Sequence, residues 1–216
     1  LAALLTVLTR VGVSTATGRR LRRHELITAL HHLGGYAGTV SLRPGVTVLH
    51  NLYSAYSIMR MGHGVQYAVR QAGLGFVAGV GGLRRLATWC FRQAEGAAAA
   101  LGSPRMVAMV HWYRGGAAYM SFEDDGEGWT RAVDEHDRWL DPGPVDDALA
   151  SLCWDAAAAG RTAEAIAVCE RGQRRPRGLG ARPVTSLVTL PAVCLSATGR
   201  SAEAAAELAE VRQVVR

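Results

Sequence analysis

The stretch that decides the fold is LASLCWDAAAAGRTAEAIAVCERG, residues 149–172. Small and apolar residues recur in it at the spacing of one helix face, on both sides of a central glycine; they are Leu149, Leu152, Ala156, Ala165 and Cys169. Gly160, between the two runs, can adopt the left-handed backbone conformation that ends a helix. The stretch therefore predicts two helices that fold back on each other through a glycine turn.

The turn recurs along the chain. Residues 160–165, GRTAEA, match residues 199–204, GRSAEA, almost letter for letter, and looser copies occupy 82–87 and 127–132. A small alanine about five residues after the turn lets the second helix cross closely over the first. Because one pair cannot bury both of its faces, successive pairs are expected to stack. We therefore predict an all-α fold of tandem antiparallel helix pairs, stacked as a right-handed α-solenoid.

Helix boundaries follow from apolar periodicity together with glycine and proline. The predicted helices are 2–16, 23–34, 46–61, 66–80, 83–101, 104–122, 128–140, 145–159, 162–171, 184–198 and 201–214. Residues 39–42 are predicted to form a short extended piece, and 141–144, DPGP, to form a compact breaker. No sheet is expected. We interpret 1–216 as a single array, more degenerate over 1–65 and clearer over 66–216.

The composition excludes several classes of enzyme. All 24 basic residues are arginine, which removes the lysine of a P-loop, of a protein kinase and of a Schiff-base enzyme. The four cysteines lie far apart in apolar contexts, as expected of reduced core residues. No stretch reaches the roughly 18 apolar residues of a membrane span. We expect a cytoplasmic, bacterial chain that is a fragment of a larger protein, since it opens at Leu1.

A family resemblance covers about half of the chain, 52–171. The phrases that carry it are Gly82-Leu-Arg-Arg-Leu-Ala-Thr-Trp-Cys-Phe-Arg-Gln-Ala94, Ala100-Leu-Gly-Ser-Pro104, Gly128-Trp-Thr-Arg-Ala132 and Gly160-Arg-Thr-Ala-Glu-Ala165. Their order resembles the tetratricopeptide (TPR)-like helical region of large bacterial signalling proteins, which pair an AAA-type ATPase with a class III nucleotide cyclase, kinase or transcription-activator module. The resemblance implies a scaffold that binds partners. Cys153, Ala156 and Pro191 depart from the repeat pattern.

Two motifs could bind a cofactor or a metal. Gly75, Gly79 and Gly81 have the spacing of a dinucleotide-binding loop, but 66–72 is predicted to be helical where that loop needs a strand; a close helix contact is the other interpretation. His24, His31 and His32 share roughly one helix face. They lack the short ligand spacing of a zinc site, so we interpret them as a polar or interfacial patch. The sequence predicts no cofactor and no metal.

Charged clusters offer further alternatives. The arginine runs 19–23 and 171–177 supply most of the net charge of +6; they could bind phosphates and nucleic acid, or simply keep a helix junction soluble. Residues 123–127, EDDGE, lack the alternating ligands of a calcium loop and are interpreted as a solvated turn. Asp134, Glu135 and Asp137 are predicted to form an exposed face that pairs with Arg131 and Arg138 at helical spacing.

The remaining candidate motifs are catalytic and aromatic. The chain lacks the Gly-x-Ser-x-Gly pattern of hydrolases, and no catalytic residue is predicted. The larger aromatics are expected in the repeat core or in a peptide groove; they are Trp89, Trp112, Tyr113, Trp129, Trp139 and Trp154. We therefore predict a non-enzymatic scaffold for a protein, a peptide or a neighbouring domain, in which self-association is plausible. The alternatives are a helical enzyme with a pocket between helices and an arginine-dependent nucleic-acid-binding module.

Overall fold

A computed structural model describes residues 11–13, 15–41, 43–123, 126–175 and 185–215. These residues form ten α-helices and a 3-10 turn at Asp137–Trp139, and they contain no strand. The helices are α1 (Gly18–Val40), α2 (Pro44–Met61), α3 (Val65–Val80), α4 (Arg84–Ala100), α5 (Pro104–Met120), α6 (Glu127–His136), α7 (Pro142–Ala158), α8 (Thr162–Arg174), α9 (Thr185–Ala197) and α10 (Ser201–Val215). The all-α prediction is confirmed for this part of the chain.

The chain divides into two compact units, Leu1–Ala117 and Ala118–Arg216. In the first, α1 packs on α2 and α3 packs on α4. Its core joins the end of α2 to α3, α4 and α5. The largest buried apolar side chains there are Ile58, Met59, Tyr67, Phe91, Met106 and Val110.

The second unit contains two further helix pairs. Helix α7 packs on α8, α9 packs on α10, and α9 also contacts α7 and α8. Leu149, Leu187 and Leu190 are almost completely buried. Both units therefore consist largely of helical hairpins, as the glycine-turn pattern predicts. Stacking of all the hairpins in one series stays a prediction.

The repeated turn phrase adopts the same geometry three times. Gly82, Gly160 and Gly199 have φ angles of 74°, 75° and 78°, a region in which a side chain would be strained. The amide of the residue after each glycine donates to a carbonyl five residues earlier, at 2.8, 2.8 and 2.9 Å. This bond closes the preceding helix. The alanine five residues after each glycine is buried in every copy: Ala87, Ala165 and Ala204.

The copy predicted at 127–132 is built differently. Its left-handed glycine is Gly126, with φ 99°, so Ala132 follows by six residues rather than five. Ala132 is nevertheless buried, and α6 begins at Glu127, directly after this glycine. The buried alanine is kept here, while the spacing that identified the phrase is not.

Pro191 lies inside α9 without ending it. Proline has no amide hydrogen, so the carbonyl of Leu187, four residues earlier, loses its partner within the helix. The side chain of Gln173 on α8 replaces it, because Gln173 Nε2 donates to Leu187 O at 2.7 Å. A neighbouring helix thus satisfies the carbonyl that Pro191 leaves open.

Three boundary predictions are wrong. Residues 39–40, expected to be extended, continue α1. The breaker at 141–144 instead begins α7, because Pro142 occupies a first-turn position where no amide hydrogen is needed. The helix predicted at 2–16 falls mostly outside the described residues, but 11–13 form a turn and 15–17 are not helical. The remaining helices differ from prediction mainly at their ends.

Candidate functional site

Small and polar residues hold the first hairpin together. Gly35 and Gly38 are buried on the side of α1 that faces α2. A Cβ added at Gly38 would lie 2.8 Å from the Thr47 hydroxyl oxygen, so the absence of a side chain allows the helices to approach. Thr47 donates a hydrogen bond to Gly35 O at 3.2 Å. Thr28, on the same side of α1, is also buried.

Two of the three histidines on α1 face α2. His24 Nδ1 lies 3.2 Å from the Ser57 hydroxyl, and His31 Nδ1 lies 3.0 Å from His50 Nδ1. The second distance requires one ring to donate and the other to accept, because two nitrogens that both carry hydrogen cannot bond. His32 is exposed. The structure thus separates the predicted histidine patch into two interfacial residues and one exposed residue.

His24 gives the first hairpin a pH dependence. Burial, followed by the charges of Arg60 and Arg23, lowers the pKa of His24 below its ordinary value of 6.5. The unfolded chain therefore takes up this proton more readily, and stability that is complete above about pH 6.5 falls as the pH drops towards the folded pKa. Melting followed by circular dichroism should show a lower melting temperature at about pH 5 than at about pH 7.5, and His24→Gln should reduce this difference.

The control for this prediction is His32→Gln on the exposed side of α1. This variant should keep the pH dependence of the wild type, because the side chain is not held against α2. An unchanged pH dependence in His24→Gln would contradict the assignment.

The side of α1 away from α2 carries leucines and arginines. Leu26, Leu30 and Leu33 are 63, 67 and 65% exposed, and their spacing of four and three residues places them on one stripe. Towards the start of the helix, the stripe continues through exposed arginines into a shallow open groove. We call this surface the α1 outer face; it comprises Arg19, Arg22, Arg23, Leu26, Leu30 and Leu33.

The orientation of α1 is the reverse of an ordinary surface helix. Two of its histidines, two of its glycines and Thr28 face the neighbouring helix, while the three leucines of the outer face point outward. A helix in a globular protein normally buries the apolar stripe, and a contiguous exposed apolar patch marks an interaction surface. Helix α2 adds further exposed apolar residues: Val48, Leu49, Leu52, Tyr53 and Tyr56. The first hairpin thus exposes the apolar surface that it would be expected to bury.

The sequence did not single out these leucines. The helix predicted from the sequence begins at residue 23 and leaves out Arg19 and Arg22. Their alignment with Leu26 on one helix face is therefore not visible from that prediction. The available signal was that two stripes run along one helix, one of leucines and one of histidine, threonine and glycine. Which of the two stripes faces a neighbour is decided by packing, and periodicity alone does not reveal it.

The two arginine runs have different environments. In the second unit, Arg171 pairs with Asp134 at 2.7 Å, Arg174 pairs with Glu170, and Arg175 pairs with Asp137. Among the described carboxylates, none pairs with the exposed arginines of α1: Arg19, Arg20, Arg22 and Arg23. Arg177, in the second run, lies outside the described residues. The first run is therefore the better candidate for an external anionic partner.

The ion pairs of the second unit correct one prediction. Asp134 pairs with Arg171 on α8 and Asp137 pairs with Arg175, the residue directly after that helix, rather than with Arg131 and Arg138 close by in sequence. The guanidinium of Arg138 instead lies 5.0 Å from the centre of the Trp139 ring. An open cleft beside these residues is already lined by its own paired charges. Of the predicted acidic turn at 123–127, Asp124 and Asp125 lie outside the described residues.

The glycine motif of the first unit lies inside a helix. Residues 66–72 and the glycines at 75 and 79 all belong to α3, so the strand that a dinucleotide-binding loop requires is absent at this position. A Cβ at Gly75 would lie 2.9 to 3.0 Å from ring atoms of Phe91 on α4. A Cβ at Gly79 would lie 3.1 Å from that of Ala117. The interpretation as a close helix contact is the one that fits this geometry.

The aromatic residues differ in burial. Trp129 is buried and stacks on Tyr119 with ring centres 4.9 Å apart, whereas Trp89, Trp139 and Trp154 are exposed. Tyr119 donates a hydrogen bond to Ser151 O at 3.2 Å. Burial, followed by Asp155, raises the pKa of Tyr119 to about 12. Its phenol therefore remains a hydrogen-bond donor at neutral pH and cannot serve as a base.

All four cysteines are free and buried, as predicted. No described helix has the length and apolar character needed to cross a membrane. No family model matches the chain, and no curated protein or solved structure is significantly similar to it. The surface chemistry of the chain itself is therefore the guide to its function.

Proposed function

We propose that the chain is a non-catalytic, TPR-like helical-repeat scaffold that binds an acidic amphipathic helix of a protein partner or a neighbouring domain. The observation that carries the proposal is the exposed leucine stripe of the α1 outer face. Three hairpin turns with one geometry, at Gly82, Gly160 and Gly199, support the interpretation as a repeat array. Stacking of the hairpins as a right-handed α-solenoid is part of the same proposal.

The apolar part of the surface favours a helical partner. Leu26, Leu30 and Leu33 extend over about 10 Å, or two helical turns. A partner helix with apolar residues at the same spacing can lie along this stripe, which is the usual way in which amphipathic helices are recognised. Burial of exposed leucines would supply most of the binding free energy. The open groove encloses too little of a small molecule to hold one.

The charged part of the surface selects the sign of the partner. Arg19, Arg22 and Arg23 line the groove beside Leu26, and no ion pair to a described carboxylate neutralises them. Guanidinium groups form strong paired hydrogen bonds with carboxylates. Glutamate or aspartate at one end of the partner helix would therefore set its direction and increase its association rate.

Fluorescence anisotropy with two synthetic helical peptides tests the proposal. Both peptides carry leucines on one face; one has glutamates beside them and the other has lysines. We expect the acidic peptide alone to bind, with an affinity that falls as salt is added. Leu30→Glu should weaken binding at least about tenfold, because it places a charge in the centre of the apolar stripe.

The matched control is Leu86→Glu, which makes the same change at a leucine that is 48% exposed on α4. It should bind the acidic peptide as the wild type does. Equal binding of both peptides, or wild-type binding by Leu30→Glu, would contradict the assignment to the α1 outer face. No binding of the acidic peptide at low salt would reject the proposed function.

The four arginines of α1, which pair with no described carboxylate, favour nucleic-acid binding as a second candidate function. Binding of this kind would depend on phosphate contacts and would be nearly independent of sequence. A labelled random oligonucleotide distinguishes the two functions. Oligonucleotide binding that Arg22→Glu abolishes and Leu30→Gln leaves intact would favour the nucleic acid, since an uncharged replacement removes only the apolar contact.

A further inference from the structure

A pair of cysteines lies at the centre of the second unit. Cys153 on α7 and Cys169 on α8 are both 0% exposed, and their Sγ atoms are 2.7 Å apart. The two residues face each other across the helical hairpin that turns at Gly160. Cys153 Sγ also donates to Ala165 O at 3.2 Å. A contact this short between two sulfur atoms is much closer than ordinary packing brings them.

We propose that Cys153 and Cys169 are a disulfide-forming pair that a low-molecular-weight disulfide oxidises reversibly. A disulfide bond measures about 2.05 Å, so the two sulfurs need to approach by only about 0.7 Å. Their positions on two helices already in contact remove the need to rearrange the backbone over a long distance. The pair is thus placed for bond formation by the fold itself.

The hydrogen bond between the two thiols shifts their pKa values in opposite directions. The hydrogen bond from Cys169 lowers the pKa of Cys153, whereas the same bond and burial raise the pKa of Cys169. The thiolate is the attacking species in disulfide exchange. Because exchange takes place in the opened hairpin, either thiol can attack first, and the other then resolves the mixed disulfide.

The exchange balances without any group from the protein other than these two thiols. The first thiolate, for example that of Cys153, attacks one sulfur of the disulfide reagent, whose other half leaves as a thiolate and takes up a proton. Cys169 loses its proton and attacks Cys153 Sγ, which releases the second half as a thiol. The reagent gains two electrons and two protons, and the protein gains one S–S bond. Because both sulfurs are buried, exchange requires transient opening of the α7–α8 hairpin.

Cys194 is the competing residue in the same core. It lies on α9, and its charge would contribute to the raised pKa of Cys169. Its Sγ does not share the short contact that joins Cys153 to Cys169. The proposal therefore assigns the bond to α7 and α8 rather than to α9. This distinction is what the experiment measures.

The test treats the full chain with oxidised glutathione in mild urea, then denatures it in N-ethylmaleimide and determines the intact mass. Reduced protein should accept four maleimides, one for each cysteine, and oxidised protein only two. Trypsin cuts after Arg138, Arg161 and Arg171, so the bond should join peptides 139–161 and 162–171. The bond should also raise the melting temperature by roughly 10 °C, because it closes a loop between α7 and α8 and so lowers the conformational entropy of the unfolded chain.

Single serine variants provide the controls. Cys90→Ser and Cys194→Ser should still form the linked peptides, whereas Cys153→Ser and Cys169→Ser should not. Four maleimides after oxidation, a stable glutathione adduct, or a peptide containing Cys194 in the bond would each overturn the proposal. The wild-type peptide map decides the question even if a serine variant fails to fold.

Discussion

Replacement of Ala165 by aspartate is expected to lower the free energy of unfolding of the second unit by about 4 kcal/mol or more, since a fully buried carboxylate must lose its water or take up a proton. Ala165 is 0% exposed and follows the Gly160 turn by five residues. A loss of this size is a large part of the stability of an ordinary domain. Urea unfolding followed by circular dichroism measures it.

The matched control makes the same replacement two residues earlier on the same helix. Ala163 is exposed in the first turn of α8, where a negative charge is favourable, so Ala163→Asp should change stability by less than about 0.5 kcal/mol. Hydrogen exchange should localise the loss in Ala165→Asp to the second unit. Equal stability of the two variants would show that the alanine of the turn phrase is not the point of helix contact.

The hairpin turns could be predicted because their cause is local. A glycine with positive φ and an alanine five residues later are visible in sequence, and Gly82, Gly160 and Gly199 all adopt the expected geometry. The copy at 127–132 shows the limit. Its turn uses Gly126, one residue outside the phrase, because the glycine of such a turn can precede the buried alanine by six residues as well as by five.

Features that depend on distant residues could not be predicted in this way. The partners of Asp134 and Asp137 lie in the last turn of α8 and directly after it, beyond the reach of spacing rules that apply within one helix. His31 on α1 and His50 on α2 meet because glycines on α1 allow the two helices to approach. The α1 outer face could not be predicted for the same reason, because packing against α2 determines which of the two stripes of α1 is buried.

Proline shows the same division between local and distant causes. Pro142 begins α7 because a first-turn position needs no amide hydrogen, a rule that can be read from sequence but that the neighbouring glycine and proline obscured. Pro191 is tolerated inside α9 because Gln173 bonds the carbonyl that it leaves open. No local pattern predicts that contact, since Gln173 lies on another helix.

The second large effect is expected at Gly75 on α3. Even the Cβ of a larger residue would come within 2.9 to 3.0 Å of the Phe91 ring, so Gly75→Leu should lower the free energy of unfolding of the first unit by about 2 to 3 kcal/mol. Gly73→Leu is the control on the same helix, because a Cβ there meets nothing within 4 Å. It should stabilise slightly, since it removes a glycine from a helix interior. Urea unfolding measures both.

A double variant separates packing from other causes of instability. Phe91 is buried, so Phe91→Ala alone should cost about 3 to 5 kcal/mol through the cavity that it leaves. In Gly75→Leu/Phe91→Ala the leucine enters this cavity, and the combined loss should be smaller than the sum of the two single losses by at least about 1 kcal/mol. Strict additivity would mean that the two residues do not share one space. A positive coupling would establish that Gly75 serves a close contact between α3 and α4 and is not part of a nucleotide-binding loop.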